Sequence, residues 1–137
     1  MGLKMQLLRD GRVIFETSLD IEDSQPDLVS RELEEMKHDL KSLSQIHNVL
    51  SNETRMRMMI EMVRTLDRRF AELVDDLDVN QKIVRDSLRQ MMDMDMVERV
   101  EWHPRNVHYV PSRLGFASFM ACAMMRRIMD ETRTNRR

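Results

Sequence analysis

From Asn80 to Glu98 the chain reads NQKIVRDSLRQMMDMDMVE, and this run narrows the possible folds more than any other stretch. Asn80 is a good N-cap, because its side-chain oxygen can accept from the free N–H groups that open a helix. On a helix starting there, Ile83, Val84, Leu88, Met91 and Met92 face inward, and Gln81, Lys82, Arg85, Asp86 and Arg89 face outward. Asp95 tolerates the left-handed conformation that a sharp helix exit needs. The alternation from Val97 onward is that of a half-exposed strand. Just upstream, FAELVDDL at 70–77 predicts a short helix with Phe70, Leu73, Val74 and Leu77 inside, and Asp78-Val79-Asn80 makes the turn. The whole reads as a helix-turn-helix whose second helix exits tightly into a strand.

The flanking segments extend this reading. Asp10-Gly11 lies between two apolar-rich runs in MQLLRDGRVIFETSL at 5–19, the strongest short-range signal for a β-hairpin. Residues 20–27, DIEDSQPD, form an acidic linker with Pro26 placed to open a helix. Over 28–50, Val29, Leu33, Met36, Leu40, Leu43, His47 and Leu50 recur at spacings of four and three. A seam this narrow predicts one long helix that pairs with a second copy. Ser51 or Asn52 then caps a core helix with Met56, Met59, Ile60 and Val63 on one face. VERVE at 97–101 and VHYV at 107–110 predict two wing strands around the tip WHPRN. From 112 to 132 a last helix places Leu114, Phe116, Phe119, Met120, Ala123, Met124 and Ile128 largely on one side, ahead of a basic tail.

The expected fold is thus mainly α: a winged helix-turn-helix with an N-terminal β-hairpin, a long N-terminal dimerisation helix and a C-terminal helix. The expected divisions are 1–27 for the hairpin and linker, 28–50 for the dimerisation helix, 51–113 for the winged helix-turn-helix, and 114–137 for the last helix and tail.

Composition bounds the function. A chain of 137 residues suits one domain with a modest core, and three glycines and three prolines leave few turns. No apolar run reaches the roughly 18 residues of a membrane span, and the start lacks the apolar core of a secretory signal, so a cytoplasmic protein is expected. The single cysteine, Cys122, cannot form an intrachain disulfide and reads as a buried small hydrophobe among alanines. No glycine-rich phosphate loop, nucleophile elbow or HExxH pattern is present, so no catalysis and no cofactor are expected. Two histidines on the wing, His103 and His108, lack a third strong ligand for a metal. His47 would sit at the helix seam, where an imidazole can respond to pH. The fifteen methionines fall mostly at core spacings, with an adaptable pocket between the last helix and the helix at 54–64 as the sharper alternative.

The region from Ile46 to Phe116 resembles the winged helix-turn-helix regulators of the ArsR type, including archaeal regulators built on the same domain. LSNETRMRMMIEM at 50–62 carries the Thr-Arg pair, Thr54 and Arg55, of the family's opening helix. ELVDDLDVNQKIVRDSLRQMMDMDMVE at 72–98 aligns without a gap on its helix-turn-helix, and VHYVPSRLG at 107–115 on the end of its wing. Metal-sensing members carry paired cysteines where this chain has Leu73 to Leu77, so the resemblance implies a member without the thiolate sensor. Asp95 stands where the family usually has glycine.

What the resemblance implies is a homodimeric regulator of transcription, of the repressor kind, that binds double-stranded DNA. The recognition helix 80–94 would enter the major groove, and the wing 101–108 would lie on the backbone or minor groove. Arginine pairs with guanine, glutamine with adenine, and lysine serves guanine or phosphate. Gln81, Lys82 and Arg85 are therefore the expected base readers, with Arg89, Arg99 and Arg105 on phosphates. Charge opposes this in part. The net charge is −2, but residues 1–50 carry 6 basic and 10 acidic side chains against 16 and 14 in residues 51–137. Asp86 on the outer face and the acidic N-terminal half favour the rival reading, a protein–protein module docking an unidentified partner or answering an effector.

Overall fold

The computed structural model describes residues 2–20, 22, 26–65, 67–104 and 106–135, with no side-chain description for 26–29 and 135. The elements run β1 (Lys4–Arg9), β2 (Arg12–Ser18), α1 (Pro26–His38), α2 (Leu40–Leu50), α3 (Glu53–Thr65), α4 (Phe70–Leu77), α5 (Gln81–Asp93), β3 (Val97–His103), β4 (Asn106–Pro111) and α6 (Arg113–Asn135). This is the mainly helical winged helix-turn-helix architecture read from the sequence. The chain divides into two units, Met1–Leu43 and Ser44–Arg137.

In the first unit β1 and β2 form an antiparallel hairpin. Asp10 and Gly11 both take positive φ, 50° and 80°, as the two central residues of a type I′ turn must. The register shifts between Leu7 and Leu8, a bulge that leaves Ile14 without a partner. Leu7, Leu8, Val13 and Ile14 are all exposed. Lys4 pairs with Glu16 at 3.2 Å. Hydrogen bonds from Gln6 and Lys4 hold the Glu16 carboxyl below its ordinary range.

The single helix expected over 28–50 is two helices. The Asp39 N–H turns back to Met36 O at 3.1 Å, an i−3 bond, while Asp39 O accepts from Leu43 at 2.9 Å and starts α2. Aspartate favours such cap positions over helix interiors. The seam therefore changes character along its length. Leu33, Met36 and Leu40 are exposed, Leu43 is half-buried and His47 is exposed. Leu50 is buried in the core of its own domain together with Val49, which removes it from any seam. The side chain of Val29 lies outside the described residues.

The second unit is built on a core of Val49, Leu50, Met58, Met59, Met62, Leu73, Leu77, Val84, Leu88, Met91, Met96 and Val97. Each large apolar side chain taken fully from water stabilises the fold by about 1.5–3 kcal/mol. Met58, Met59 and Met62 have no exposure at all, so α3 spends its methionines on packing. Its buried face is turned from the expected one: Met58 is inside, and Ile60 is 41% exposed. The turn follows from Arg55. Its Nε donates to Val49 O at 2.6 Å, its Nη2 to Asn48 O at 3.1 Å and its Nη1 to Gln90 Oε1 at 2.7 Å. A charged side chain can sit on the inner side of α3 because carbonyls at the end of α2 satisfy it. Asn52 is the N-cap of α3, accepting from the Arg55 N–H at 3.1 Å.

The exits are set by side chains that tolerate left-handed backbone. Asp78 ends α4 at φ 50°, and Asp95 follows α5 at φ 57°. Ser112 then locks the far end of the wing to that corner: its N–H bonds Met96 O at 2.9 Å, its hydroxyl donates to Asp95 O, and the hydroxyl accepts from the Gly115 N–H at 2.9 Å. A Cβ on Gly115 would collide with the Met96 backbone, so only glycine lets α6 start this close.

Beyond that anchor α6 is open. Phe119 and Cys122 pack on the core, Cys122 half-buried. Leu114, Phe116, Met120, Met124, Met125 and Met129 are exposed. No helix among the described residues is long and apolar enough to cross a membrane.

Candidate nucleic-acid interface

α5 is positioned from both ends. Asn80 accepts from the Lys82 N–H at 2.7 Å, the cap expected of it, and the Asp95 corner ends the helix. Val84, Ser87, Leu88 and Met91 are buried, a spacing of three, one and three that defines the inner face. One inward assignment changes, and one residue joins the inner face. Ile83 is 46% exposed and Ser87 is 6% exposed, because Ile83 lies at the margin of the inner stripe and Ser87, one turn on, lies within it. Serine is small enough to sit where α5 lies closest to its neighbours.

Gln81, Lys82, Arg85, Asp86 and Arg89 are exposed on the opposite side, as the sequence predicts. Among the described residues Lys82, Arg85 and Arg89 have no ion-pair partner. The Arg85 guanidinium lies over the Phe70 ring, 5.7 Å from its centroid, a cation–π contact that holds the charge at the surface without neutralising it. Arg89 is one turn further along the same flank. Asp86 shares the outer face and dilutes its charge.

The wing is the hairpin of β3 and β4, in register from Val97↔Pro111 to Glu101↔Val107 and irregular between Glu101 and His103. The extra residue is Trp102, which is 65% exposed. The indole is therefore an outward feature of the wing and not a packing residue at its base. Arg99 pairs with Glu101 at 3.2 Å, so part of its charge is spent within the strand. Arg105, the expected tip contact, lies outside the described residues. His108 is held between Asn106 Oδ1, 2.8 Å from Nε2, and Asp67 Oδ2, 3.3 Å from Nδ1. Among the described residues no three His, Cys, Asp or Glu side chains are grouped to hold a metal ion.

A residue absent from the sequence reading braces the wing. Arg68 exchanges backbone hydrogen bonds with Tyr109, at 2.9 Å and 2.7 Å, adding a bridge to β4. Its guanidinium, only 20% exposed, faces Glu72 at 3.0 Å, Asp76 at 3.2 Å and Glu61 at 3.8 Å. One cation thereby ties α3, α4 and the wing together. Glu72 also accepts from the Arg69 N–H at 3.0 Å. That backbone bond, with the hydrogen bond and charge of Arg68, holds its carboxyl below the ordinary 4.5 against the opposing effect of burial. The spacing of Arg68, Glu72 and Asp76, four residues apart, was the signal available in the sequence.

A capped helix presenting unpaired cations, a sharp corner and a two-stranded wing is the arrangement of a DNA-reading winged helix. The family model for the bacterial regulatory proteins of the ArsR family matches residues 52–99. The match runs from the N-cap of α3 into β3. Solved structures agree on the winged helix-turn-helix fold. The transcriptional repressor BigR from Xylella fastidiosa superposes with a TM-score of 0.58 at 15% identity, over 69% of this chain and 93% of that one. A MarR-family protein from Enterococcus faecalis V583 gives 0.62 at 21% identity, over 71% and 90%. A homodimeric winged helix-turn-helix DNA-binding domain from Mycobacterium bovis gives 0.56 at 14% identity, over 70% and 85%. Among curated proteins none matches the sequence.

Proposed function

We propose that this protein is an ArsR-type regulator of transcription that binds double-stranded DNA as a homodimer, with α5 in the major groove and the wing on the backbone or minor groove. The exposed trio Lys82, Arg85 and Arg89 on α5 carries the reading. Gln81, Lys82 and Arg85, near the start of the helix, are the base readers, and Ile83 beside them offers an apolar surface to a thymine methyl. Arg89, Arg99 and Arg105 serve phosphates. Two sets of exposed apolar residues support dimerisation: Leu33, Met36 and Leu40, with Val29, Leu43 and His47 on the same seam, and the open face of α6. The Mycobacterium bovis domain is itself homodimeric. Two copies would address half-sites roughly 34 Å apart, one turn of the duplex.

The test is an anisotropy titration against genomic fragments at several salt concentrations. Each phosphate neutralised adds about 0.9 to the slope of log affinity against log salt. Lys82→Ala with Arg85→Ala should weaken binding by about 1–3 kcal/mol for each base-reading side chain removed. Trp102, the single tryptophan, reports the docking of the wing by its own fluorescence. Affinity indifferent to salt and to the double variant would remove the proposal. Asp86, exposed among the cations, favours a second reading as a protein-docking module, which that same negative result would support.

A further inference from the structure

The two faces of the N-terminal hairpin are unlike. Side chains alternate along β1, so Met5, Leu7 and Arg9 share one face, and the register adds Thr17, Phe15 and Arg12 to it. On the opposite face Glu16 is satisfied within the hairpin, by Lys4 at 3.2 Å and Gln6 at 3.1 Å. The first face has no such balance. Arg9 and Arg12 are exposed and stand directly opposite each other, and among the described residues neither has an ion-pair partner, Asp10 of the turn included. Like charges directly opposite destabilise a ribbon. Two strands alone are marginal to begin with, so this pair weakens the element that carries it unless an anion lies against it. Behind the arginines Leu7 is 56% exposed, and Met5, Phe15 and Thr17 are half-buried. No acidic strand residue shares this face.

We propose that this face of the hairpin is a second DNA-reading surface, laid in the major groove of duplex DNA with Arg9 and Arg12 donating to guanine and with Leu7, Phe15 and Thr17 against thymine methyl groups. The major groove admits a two-stranded ribbon as it admits a helix, and arginine, phenylalanine and threonine are residue types that meet its base edges. A lipid surface fits less well, because the cations stand at the tip ahead of the apolar residues, and tip-first insertion would bury them unpaired. A second copy fits less well too, since its matching face offers no acidic strand residue to meet the arginines. The hairpin shares its partner with the reading proposed for α5 and rests on different residues.

The full chain is titrated with genomic duplex fragments by anisotropy, and contacts to guanine N7 in the major groove are read by protection from dimethyl sulfate. Two sets of guanines should be protected. Arg9→Gln with Arg12→Gln should weaken binding about tenfold for each arginine removed and expose one set, whereas Lys82→Ala with Arg85→Ala should expose the other. The glutamines relieve the repulsion, so the hairpin should persist, and cross-strand NMR contacts between β1 and β2 check that it does. Arg9→Lys with Arg12→Lys keeps the charge and loses the fork; it should keep affinity for nonspecific duplex and lose the first set of protections. Unchanged affinity and protection in the glutamine variant overturn the proposal. Loss of dimers by that variant in light scattering would then assign the face to a second copy, and loss of binding to phosphatidylserine vesicles would assign it to a lipid surface. If the α5 variant binds as the wild type does while the hairpin set is protected, the reading of α5 fails and the hairpin stands. If the only protected set answers to Lys82 and Arg85, the hairpin proposal falls and the reading of α5 stands.

Discussion

Met58, Met59 and Met62 on α3 have no solvent exposure, whereas Met120, Met124, Met125 and Met129 on α6 are 39%, 37%, 47% and 49% exposed. The two helices draw on the same flexible side chain for opposite circumstances. α3 packs against α4, β4 and α6 and is pinned by Arg55 and Arg68, so its thioethers fill irregular gaps in a dense core. α6 has one close approach, at Gly115, and two packed residues, Phe119 and Cys122. Past these, Met124, Met125 and Met129 are exposed. A contiguous exposed apolar surface on a helix marks a site of association. The contrast shows that a methionine count says little about location until it is known which helix has neighbours.

The contrast can be broken at its packed side first. Met62→Ala should cost about 2–5 kcal/mol of unfolding free energy, read from urea denaturation, because a buried cavity remains. Met124→Ala should cost a small fraction of that, and comparable losses would mean that α6 is covered within the protomer. Next in size is the anchor. Gly115→Ala forces a methyl group against the Met96 backbone and should cost about 1–3 kcal/mol, with near-native α3 packing by aliphatic NMR shifts.

A smaller effect sharpens the bracing of α3. Glu72 has a lowered folded pKa, so its contribution is present above the ordinary value of 4.5 and is lost as pH falls through the folded value. Glu72→Gln should flatten the acid limb of the stability–pH profile below that value, by less than about 1 kcal/mol, since the side chain is 45% exposed and screened. An unchanged limb would remove the carboxylate from the brace. Smallest for folding is Met120→Glu with Met124→Glu: within about 0.5 kcal/mol for the single chain, yet light scattering should show the loss of the proposed dimer. Persisting dimers would leave the seam of α1 and α2 as the sole association surface.

What the sequence revealed follows the range of the interactions. Asp10-Gly11, the Asn80 cap and the left-handed Asp95 depend on their own few residues, and each was legible. Asp39 was not, because it occupies no apolar position and the seam reads smoothly through it. Ile83 fell outside the inner face of α5 and Ser87 inside it because residues at the margin of an apolar stripe are placed by what packs on them and not by periodicity alone. Leu50 satisfies a heptad and a core equally well, and only the tertiary structure decides between them. The outer cations of α5 were legible as a set. Their relation to Phe70 was not, since packing between α4 and α5 has no local signature.

Arg55 joins carbonyls at the end of α2 to Gln90 on α5 through one rigid, planar group. It works as a tie rod. Any pull on the end of α2, of the kind a pairing seam would exert, must either tear hydrogen bonds from Asn48 and Val49 or drag Gln90 and tilt α5. The tilt of α5 is thereby geared to the end of α2, and Arg55→Lys, which keeps the charge but loses the fork, would leave that gear slipping.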